Sequence, residues 1–378
     1  MLIMFFMMGI VFICIVLHML IRICIPFWSK QPVFHVYDIP YYFFSPMILS
    51  ESLPTIDQKY VNMKNIVVKY GNEEKKSMQD RLTMLLKDNY LRDKRLNYLP
   101  ESNNIIPYLE LNDVIILYYY YADTIIGTIT LRPVECILGG NTVYLQYVDY
   151  LCVHKDHRKK GIAQQLIGTL YYYQRHNSYY KVSLFKNEGK QRAIIPFAKY
   201  ETYRIKLAVI PKLKLHPEYT FTKVTDKNIY KLYEIFSQIK ADFLYYISVN
   251  LTNLLLLITT GNIELYYLSH KDVILSLYYV RNSHCYNEDN KIVKEIYCSY
   301  KAQKCSKEYF QNGFQLLLHK LQEQSYECII ENVGHTIWLV DWLKSSGYII
   351  TIDMYLVGFY LYNYLHKTVD STHLFINL

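Results

Sequence analysis

One stretch near the middle of the chain, residues 147–167 (YVDYLCVHKDHRKKGIAQQLI), carries the residue types that could do chemistry. An apolar strand pattern ends at Val153, a basic turn follows, and a helix pattern begins near Gly161. Backbone N–H groups at a helix N-terminus lack partners within the helix, so they favour anions, and neighbouring cations suit a diphosphate. The stretch predicts a binding site for a phosphorylated carrier such as CoA. The alternative is a solvated basic turn before an ordinary helix.

The sequence around this turn resembles a known acyltransferase signature. The spacing Arg158-x-x-Gly161-x-Ala163 is similar to that of GNAT acyltransferases. More specifically, residues 151–155 (LCVHK), followed by Arg158, Lys160 and Ala163, resemble the signature of glycylpeptide N-myristoyltransferases. That signature is E-I-N-F-L-C-x-H-K followed by x-x-R-x-K-R-x-A-P.

Two further segments resemble the same family, in the family's order. Residues 27–33 (FWSKQPV) are similar to its F-W-x-T-Q-P-V arm, and residues 359–364 (FYLYNY) are similar to its Y-Y-L-Y-N-W strand. Three ordered matches cover nearly all of the chain from residue 27 onward. The chain therefore resembles a divergent N-myristoyltransferase.

This resemblance implies an α+β fold of two tandem GNAT-like halves in one pseudo-symmetric unit. Residues 26–210 would form the half that binds acyl-CoA, and residues 211–378 the half that faces the acceptor peptide. The order of elements agrees, because each half shows three strand patterns, a helix pattern and another strand pattern.

In the first half, the patterns predict strands over residues 113–121, 125–131 and 142–153, with a turn at Ala122-Asp123, then a helix from Gly161 to about Tyr173 and a strand over residues 181–185. In the second half, they predict strands over residues 264–268, 273–280 and 291–300, a helix over residues 306–322 with Ser306 as its N-cap, a strand over residues 327–331, a helix over residues 336–344 ended by Gly347, and a last strand over residues 354–364.

The resemblance also implies roles for individual residues. The backbone N–H groups of Tyr150 and Leu151 would form an oxyanion hole for the thioester carbonyl, where preorganised donors stabilise developing negative charge. The terminal carboxylate at Leu378 would be the general base, placed in a dry pocket by the apolar residues 374–376. The residues expected to bind myristoyl-CoA, which is a co-substrate and not a resident cofactor, are Phe27, Trp28, Cys152, Val153, Arg158, Lys159, Lys160, Gly161, Ile162 and Ala163.

The chain departs from the family mainly on the acceptor side. The K-F-G-x-G-D-G signature is replaced at residues 345–353 (SSGYIITID), and the R-Y-W-H-R-S stretch is reduced to residues 201–204 (ETYR). In the basic turn, Gly161 and Gln164 replace the family's second Arg and its Pro. We expect transfer of a long acyl chain from acyl-CoA to an N-terminal glycine amine. The alternatives are a degenerate acyl-CoA-binding scaffold, and a GNAT-type or duplicated Fem-type transferase with another donor.

The N-terminal residues 1–25 predict a membrane anchor. Residues 1–21 contain no charged side chain, and a helix of this length would cross a hydrocarbon core of roughly 30 Å. A secretory signal would need a basic start and a small-residue cleavage site, which are not visible. Arg22 and Lys30 follow the segment, so the positive-inside tendency places the body in the cytosol as a single-pass protein.

Composition excludes several other classes of protein. The 378 residues are 52% hydrophobic, so a sizeable core is expected, and the net charge of +8 is dispersed, without an arginine-rich arm that would indicate nucleic acid. The eight cysteines form no C-x-x-C pair, and His154 and His157 have no third ligand at suitable spacing, so no metal is expected. Cys152 is expected to be a buried, inert thiol. The partners expected are acyl-CoA, an acceptor N-terminal peptide and a membrane, with the protein acting as a monomer.

Overall fold

The computed structural model describes residues 9, 12–13, 15–16, 19–20, 23–71, 76–91, 95–189, 193–207, 210–325 and 327–378. The strands are β1 (Met47–Ile48), β2 (Ile66–Tyr70), β3 (Asn97–Tyr98), β4 (Ile115–Tyr121), β5 (Thr124–Leu138), β6 (Asn141–Thr142), β7 (Leu145–Val153), β8 (Val182–Glu188), β9 (Ala198–Leu207), β10 (Tyr219–Lys223), β11 (Tyr245–Ser248), β12 (Ile263–His270), β13 (Val273–Tyr286), β14 (Ile292–Lys301), β15 (Glu327–Glu331), β16 (Ile349–Tyr362), β17 (Tyr364–Leu365) and β18 (Leu374–Asn377). The helices are α1 (Lys76–Asn89), α2 (Ser102–Ile105), α3 (Ile162–Asn177), α4 (Tyr233–Asp242), α5 (Leu251–Thr259), α6 (Lys307–Gln324) and α7 (Thr336–Ser346).

A sheet of sixteen strands, counted over the described residues, runs through both halves. Its order is β10-β12-β13-β14-β15-β9-β16-β8-β7-β5, and β5 then pairs with both β4 and β11. The long strand β16 joins the halves because it pairs with β9 on one side and with β8 on the other. Strand β18 lies parallel to β11, which brings the end of the chain into the first half of the sheet.

The two halves repeat one arrangement. In the first, antiparallel β4, β5 and β7 lead through α3 to β8, which pairs parallel with β7. In the second, antiparallel β12, β13 and β14 lead through α6 to β15, which pairs parallel with β14. The predicted α+β fold of GNAT-like type is confirmed.

The helices cover the sheet with faces that the sequence pattern defines. In α3, Ile162, Leu166 and Leu170 recur at helical spacing and pack against the sheet together with Leu131 of β5. In α6, the side chain of Ser306 caps the helix by accepting from the N–H of Tyr309, as the sequence predicts.

Most predicted elements around the basic turn are present. The predicted turn at Ala122 and Asp123 has both residues at positive φ, and Gly347 ends α7 in the left-handed region. The prediction is incomplete between residues 198 and 262, where β9, β10, β11, α4 and α5 were not anticipated. The strand expected over residues 142–153 is confirmed only for residues 145–153, because β6 ends at Thr142 as a separate strand.

The predicted anchor, residues 1–25, lies largely outside the described residues. Among its described residues, Phe12, Ile13, Met19 and Leu20 are helical and about half or more exposed. Over the described part of the chain, no helix is both long and apolar enough to cross a membrane.

Candidate active site

A β-bulge interrupts β7 at the residues expected to form the oxyanion hole. Thr128 of β5 lies opposite Cys152, but Thr130 lies opposite Asp149, so Tyr150 and Leu151 have no partner across β5. Tyr150 has a φ of +48°, a conformation that costs a non-glycine residue roughly 1–2 kcal/mol. Bulges of this kind commonly stand beside functional sites, where they redirect backbone groups. Both predicted residues are therefore outside the regular strand pairing.

Beside this bulge there is a gap in the strand pairing, because β7 and β8 pair at only four positions. Their parallel pairing runs from Leu145 with Val182 to Val148 with Phe185, although β7 continues to Val153. Backbone groups of β7 beyond Val148 are therefore not paired with β8. An extended ligand placed between the two strands could hydrogen-bond to them.

The N-terminal arm reaches the start of the same gap. The ring of Trp28 stacks on Phe185 at 5.7 Å between centroids, and Phe27 packs against Tyr60 at 5.1 Å. Phe27 is only 3% exposed, so it contributes mainly to the core, whereas Trp28 remains partly exposed. Trp28 therefore lies beside Phe185, where the pairing of β7 with β8 ends, and its role in binding the carrier stays a prediction.

Arg158 holds the basic turn in shape. Its Nε donates to the carbonyl oxygen of Val153 at 3.1 Å, and its Nη2 donates to the carbonyl oxygen of Asn89 at 2.5 Å. The N–H of Lys155 is bound by the side chain of Asn89 at 2.9 Å. The guanidinium therefore ties the turn to the end of β7 through one donor group and to the end of α1 through the other.

The start of α3 offers the donors that the sequence predicts for an anion. Lys159 and Gly161 have φ values of +63° and +78°, and the first helical hydrogen bond runs from Gln165 to Gly161. The N–H groups of Ile162 and Ala163 precede this bond and have no acceptor within the helix. Three lysines of the turn, Lys155, Lys159 and Lys160, are exposed. This arrangement suits a phosphate group.

The side chains of Cys152 and Ile162 do not face the predicted carrier. They are 3% and 6% exposed and belong to the cores on the two faces of the sheet. Both residues could serve a ligand only through their backbone groups. The expectation of an inert, buried thiol at Cys152 agrees with this position.

Comparison with known proteins places this geometry in context. Residues 112–200, which include the bulge, the basic turn and α3, match the acetyltransferase (GNAT) domain family. A crystal structure of Saccharomyces cerevisiae N-myristoyltransferase with bound myristoyl-CoA is similar at a TM-score of 0.70 and 13% identity, covering 93% of this chain and 91% of that one. The chain has the N-myristoyltransferase fold.

Two more structures of the yeast enzyme agree. A second one with bound myristoyl-CoA has a TM-score of 0.70 and 14% identity and covers 93% of this chain and 99% of that chain. A third, with myristoyl-CoA and inhibitors, has a TM-score of 0.70 and 14% identity and covers 92% of each chain. A search of curated protein sequences finds no match. The resemblance seen in the three motifs is confirmed, while the roles of single residues stay predictions.

The two segments at which the sequence departs from the family signatures, residues 201–204 and 345–353, both lie in regular secondary structure and its caps. Residues 345–353 contain the end of α7, the left-handed cap at Gly347 and the start of β16. Residues 201–204 lie within β9, where Arg204 forms an ion pair with Glu327 at 2.7 Å. The second motif is therefore used in strand pairing and a partly buried ion pair.

Leu378 is 6% exposed, and its terminal oxygen already has a partner. Nη2 of Arg281 donates to it at 2.5 Å, while Nη1 of the same residue pairs with Glu295 at 3.0 Å. The guanidinium also stacks on the ring of Tyr297 at 4.2 Å. The predicted base is thus bound by a cation that no sequence motif indicates.

A chain of charges extends from Arg281 toward the gap between β7 and β8. Lys186 of β8 lies 2.6 Å from Glu331 and 3.9 Å from Glu295. Burial raises the pKa of Glu331 despite the attraction of Lys186. Burial opposes ionisation of Glu295 as well, but Arg281 and Lys186 outweigh it and lower its pKa to about 2. Of the two carboxyls, Glu331 is the one that takes up a proton first.

The sequence patterns also gave no indication of Asp149 and Arg132, which lie together at the bulge. Asp149 begins the bulge, accepts the N–H of Tyr150 at 3.1 Å, and lies 3.6 Å from Nε of Arg132. Arg132 is only 1% exposed, and its Nε and Nη1 have no hydrogen-bond partner among the residues that the structure describes. A departure from the N-myristoyltransferase signature could have drawn attention to Asp149, because the signature has Asn at this position.

Proposed function

We propose that this chain is an N-acyltransferase that moves a long acyl group, such as myristoyl, from acyl-CoA to the N-terminal amine of a protein. The GNAT domain match and the N-myristoyltransferase fold support acyl transfer. The observation that carries the proposal is the bulge at Tyr150 and Leu151, next to the gap between β7 and β8 and followed directly by the basic turn.

Each proposed role follows from a local arrangement. The exposed lysines and the first N–H groups of α3 would hold the CoA phosphates, and Trp28 would pack along the carrier. The N–H groups of Tyr150 and Leu151 would polarise the thioester carbonyl. Donors fixed before the reaction would stabilise the tetrahedral oxyanion without reorganisation.

The terminal carboxylate at Leu378 is the proposed base, and an N-terminal glycine is the proposed acceptor. The small side chain of glycine would let its amine approach the bulge beside the rings of Tyr90 and Tyr150. We also propose that the protein acts as a monomer. Residues 1–25 would tether it to a membrane as a single-pass anchor, with the catalytic body facing the cytosol.

A specific observation favours a second candidate, an acyl-CoA-binding protein without turnover. Arg281 neutralises the terminal oxygen of Leu378, and Asp149 already occupies the N–H of Tyr150. Both contacts would have to open during catalysis.

The test uses the full-length protein in detergent, alkyne-labelled acyl-CoAs of increasing chain length, and glycine-initiated peptides. Acylation of the peptide amine, greatest with the myristoyl donor, is expected by mass spectrometry. A one-residue extension after Leu378 should abolish turnover but preserve binding of acyl-CoA by calorimetry. Tight binding without any peptide product would favour the scaffold, and preference for acetyl-CoA would favour a short-chain GNAT enzyme.

A further inference from the structure

A groove lies at the end of the first half of the sheet opposite to the bulge of β7. Val182 lines it at the first position where β8 pairs with β7, and Leu138 lines it at the end of β5. Tyr150 follows Leu145, the partner of Val182, by five positions, so the bulge stands roughly 17 Å away along the strand. The groove has a volume of about 1050 Å³, and none of the residues expected to bind the acyl carrier lines it.

Four exposed aromatic side chains stand around the groove, and we call them the aromatic rim. Phe43 and Phe44 come from the N-terminal arm and are 82% and 47% exposed. Tyr144 precedes β7 and Tyr179 precedes β8; they are 65% and 62% exposed, and their ring centroids lie 5.8 Å apart. Side chains this exposed add little to the core, so their apolar surface is available to a partner.

The arm segment that contributes to the rim carries almost no charge. Asp38 is the single Asp, Glu, Lys or Arg in residues 31–50, and its carboxylate lies 2.9 Å from Nδ1 of His35. In the same segment, Ile39 and Met47 are 64% and 46% exposed. A segment of this length would ordinarily carry about five charged side chains. An exposed segment of this composition favours a partner that is itself largely apolar.

The charged side chains that line the groove are basic. They are Lys181, His366 and Lys367, and no Asp or Glu of the described residues lines it. Lys181 is paired with Glu51 at 2.7 Å, whereas Lys367 is exposed. Exposed aromatic rings beside lysine suit the headgroup region of a bilayer, where rings lie at the boundary of the acyl chains and an ammonium faces phosphate groups.

The groove lies close to the point where the proposed anchor joins the folded body. Ile25, the last residue of that anchor, packs against the cluster that includes Tyr360 and Tyr362. Tyr364, which follows two residues later, lines the groove. The chain advances about 3.3 Å per residue in a strand, so the stretch from Tyr360 to Tyr364 is roughly 13 Å long. A bilayer reached by the anchor is therefore also within reach of the rim.

We propose that the aromatic rim rests on the surface of a phospholipid bilayer, with its rings among the headgroups and Lys367 facing anionic phosphates. The inference rests on the proposed function only for the tether at residues 1–25, which would bring the body to the bilayer. The rim adds a second contact at a different point. Two contacts fix how the body lies on the membrane, because the tether alone would leave it free to rotate.

The first experiment locates the rim relative to lipid and needs no turnover. Full-length Phe43→Trp is bound to vesicles of phosphatidylcholine and phosphatidylserine, with or without brominated acyl chains that quench tryptophan fluorescence. The control is Val273→Trp, because Val273 is 52% exposed at the start of β13, which β14, β15, β9 and β16 separate from β8. Brominated lipid should quench Phe43→Trp more than the wild type and Val273→Trp no more than the wild type. Equal quenching of all three proteins would overturn the proposal.

The second experiment measures how much the rim contributes to binding. Ile13→Asp in the full-length chain places a charge in the proposed anchor, so that vesicle binding depends on the body. In this background, Phe43→Ser with Phe44→Ser should lower the partition coefficient about 10-fold, because two phenyl rings no longer leave water. Met84→Ser with Val273→Ser removes exposed apolar side chains from α1 and β13 and should change nothing. Equal partition of the two double variants would overturn the proposal.

The outcomes separate this inference from the proposed function. Lipid quenching at position 43 in a protein that acylates no peptide would refute the transferase while the membrane surface stands. Flotation of the full-length protein with vesicles, without quenching at position 43, would support the tether and refute the inference. A dimer in sedimentation velocity that Phe43→Ser with Phe44→Ser dissociates would identify a second copy of this chain as the occupant of the groove and would also refute it.

Discussion

Replacing Gly161 with alanine tests whether the backbone at the start of α3 holds the acyl carrier. Gly161 has φ +78° and ψ 1°, and a methyl group added there would meet no atom closer than Oε1 of Gln164 at 3.9 Å. The cost is therefore conformational, about 1–2 kcal/mol for an L-residue in the left-handed region. If the turn relaxes to escape this strain, the N–H groups of Ile162 and Ala163 move away from the phosphates. Recovering the bound geometry would then weaken acyl-CoA binding by about 5- to 30-fold.

The matched control is Gly261→Ala, at a turn before β12. Gly261 has φ +74°, and no atom of the described residues lies within 4 Å of the added methyl, so its substitution carries the same backbone cost. Urea unfolding should show both variants destabilised by about 1–2 kcal/mol. Calorimetry with acyl-CoA should show weaker binding only for Gly161→Ala. Equal affinities for the two variants would refute the role assigned to this turn.

Two further predictions concern the interior. Arg281→Met should destabilise the protein by about 2–4 kcal/mol in urea unfolding, because it leaves Glu295 with Lys186 as its one remaining cationic partner among the described residues. Adding Glu295→Gln should restore most of the lost stability. A loss from Arg281→Met below about 0.5 kcal/mol would contradict the buried pairing. Burial and the charge of Lys301 lower the pKa of His335 to about 4. The folded state therefore favours the neutral ring, and the stability that this provides is complete above the unfolded pKa near ~6.5 and is lost as pH falls toward 4. Between pH 7 and pH 5, the free energy of unfolding of the wild type should fall by about 2 kcal/mol more than that of His335→Asn. If the urea midpoints of the two proteins changed in parallel with pH, His335 would not be the cause of the loss of stability.

Local patterns were sufficient to predict the elements around the basic turn. Apolar strands, a two-residue turn at Ala122 and Asp123, and a helix after Gly161 are each determined by residues close together in sequence. Strands β9 and β11 were missed because their stability depends on distant partners, such as β16 for β9 and β18 for β11. A strand that depends on such distant partners need not show a hydrophobic periodicity in its own sequence.

The candidate site was only partly predictable for a similar reason. The motif indicated the basic turn, but it could not show that Arg158 is bound to the carbonyls of Val153 and Asn89. The positive φ of Tyr150 is imposed by the register between β5 and β7, since no glycine marks it. Arg281 meets Leu378 only through tertiary structure, 97 residues apart in sequence.

The continuity of the sheet through β16 limits how this protein can move. A hinge between the two halves would have to shear β16 from β8, across six residue pairs from Val357 to Tyr362. Breaking the pairing of β16 with β8 would expose backbone groups and apolar side chains to solvent, so rotation of the two halves as rigid bodies is energetically unfavourable. Displacement of surface segments, with the sheet intact, is therefore the less costly way for this protein to change the exposure of its interior.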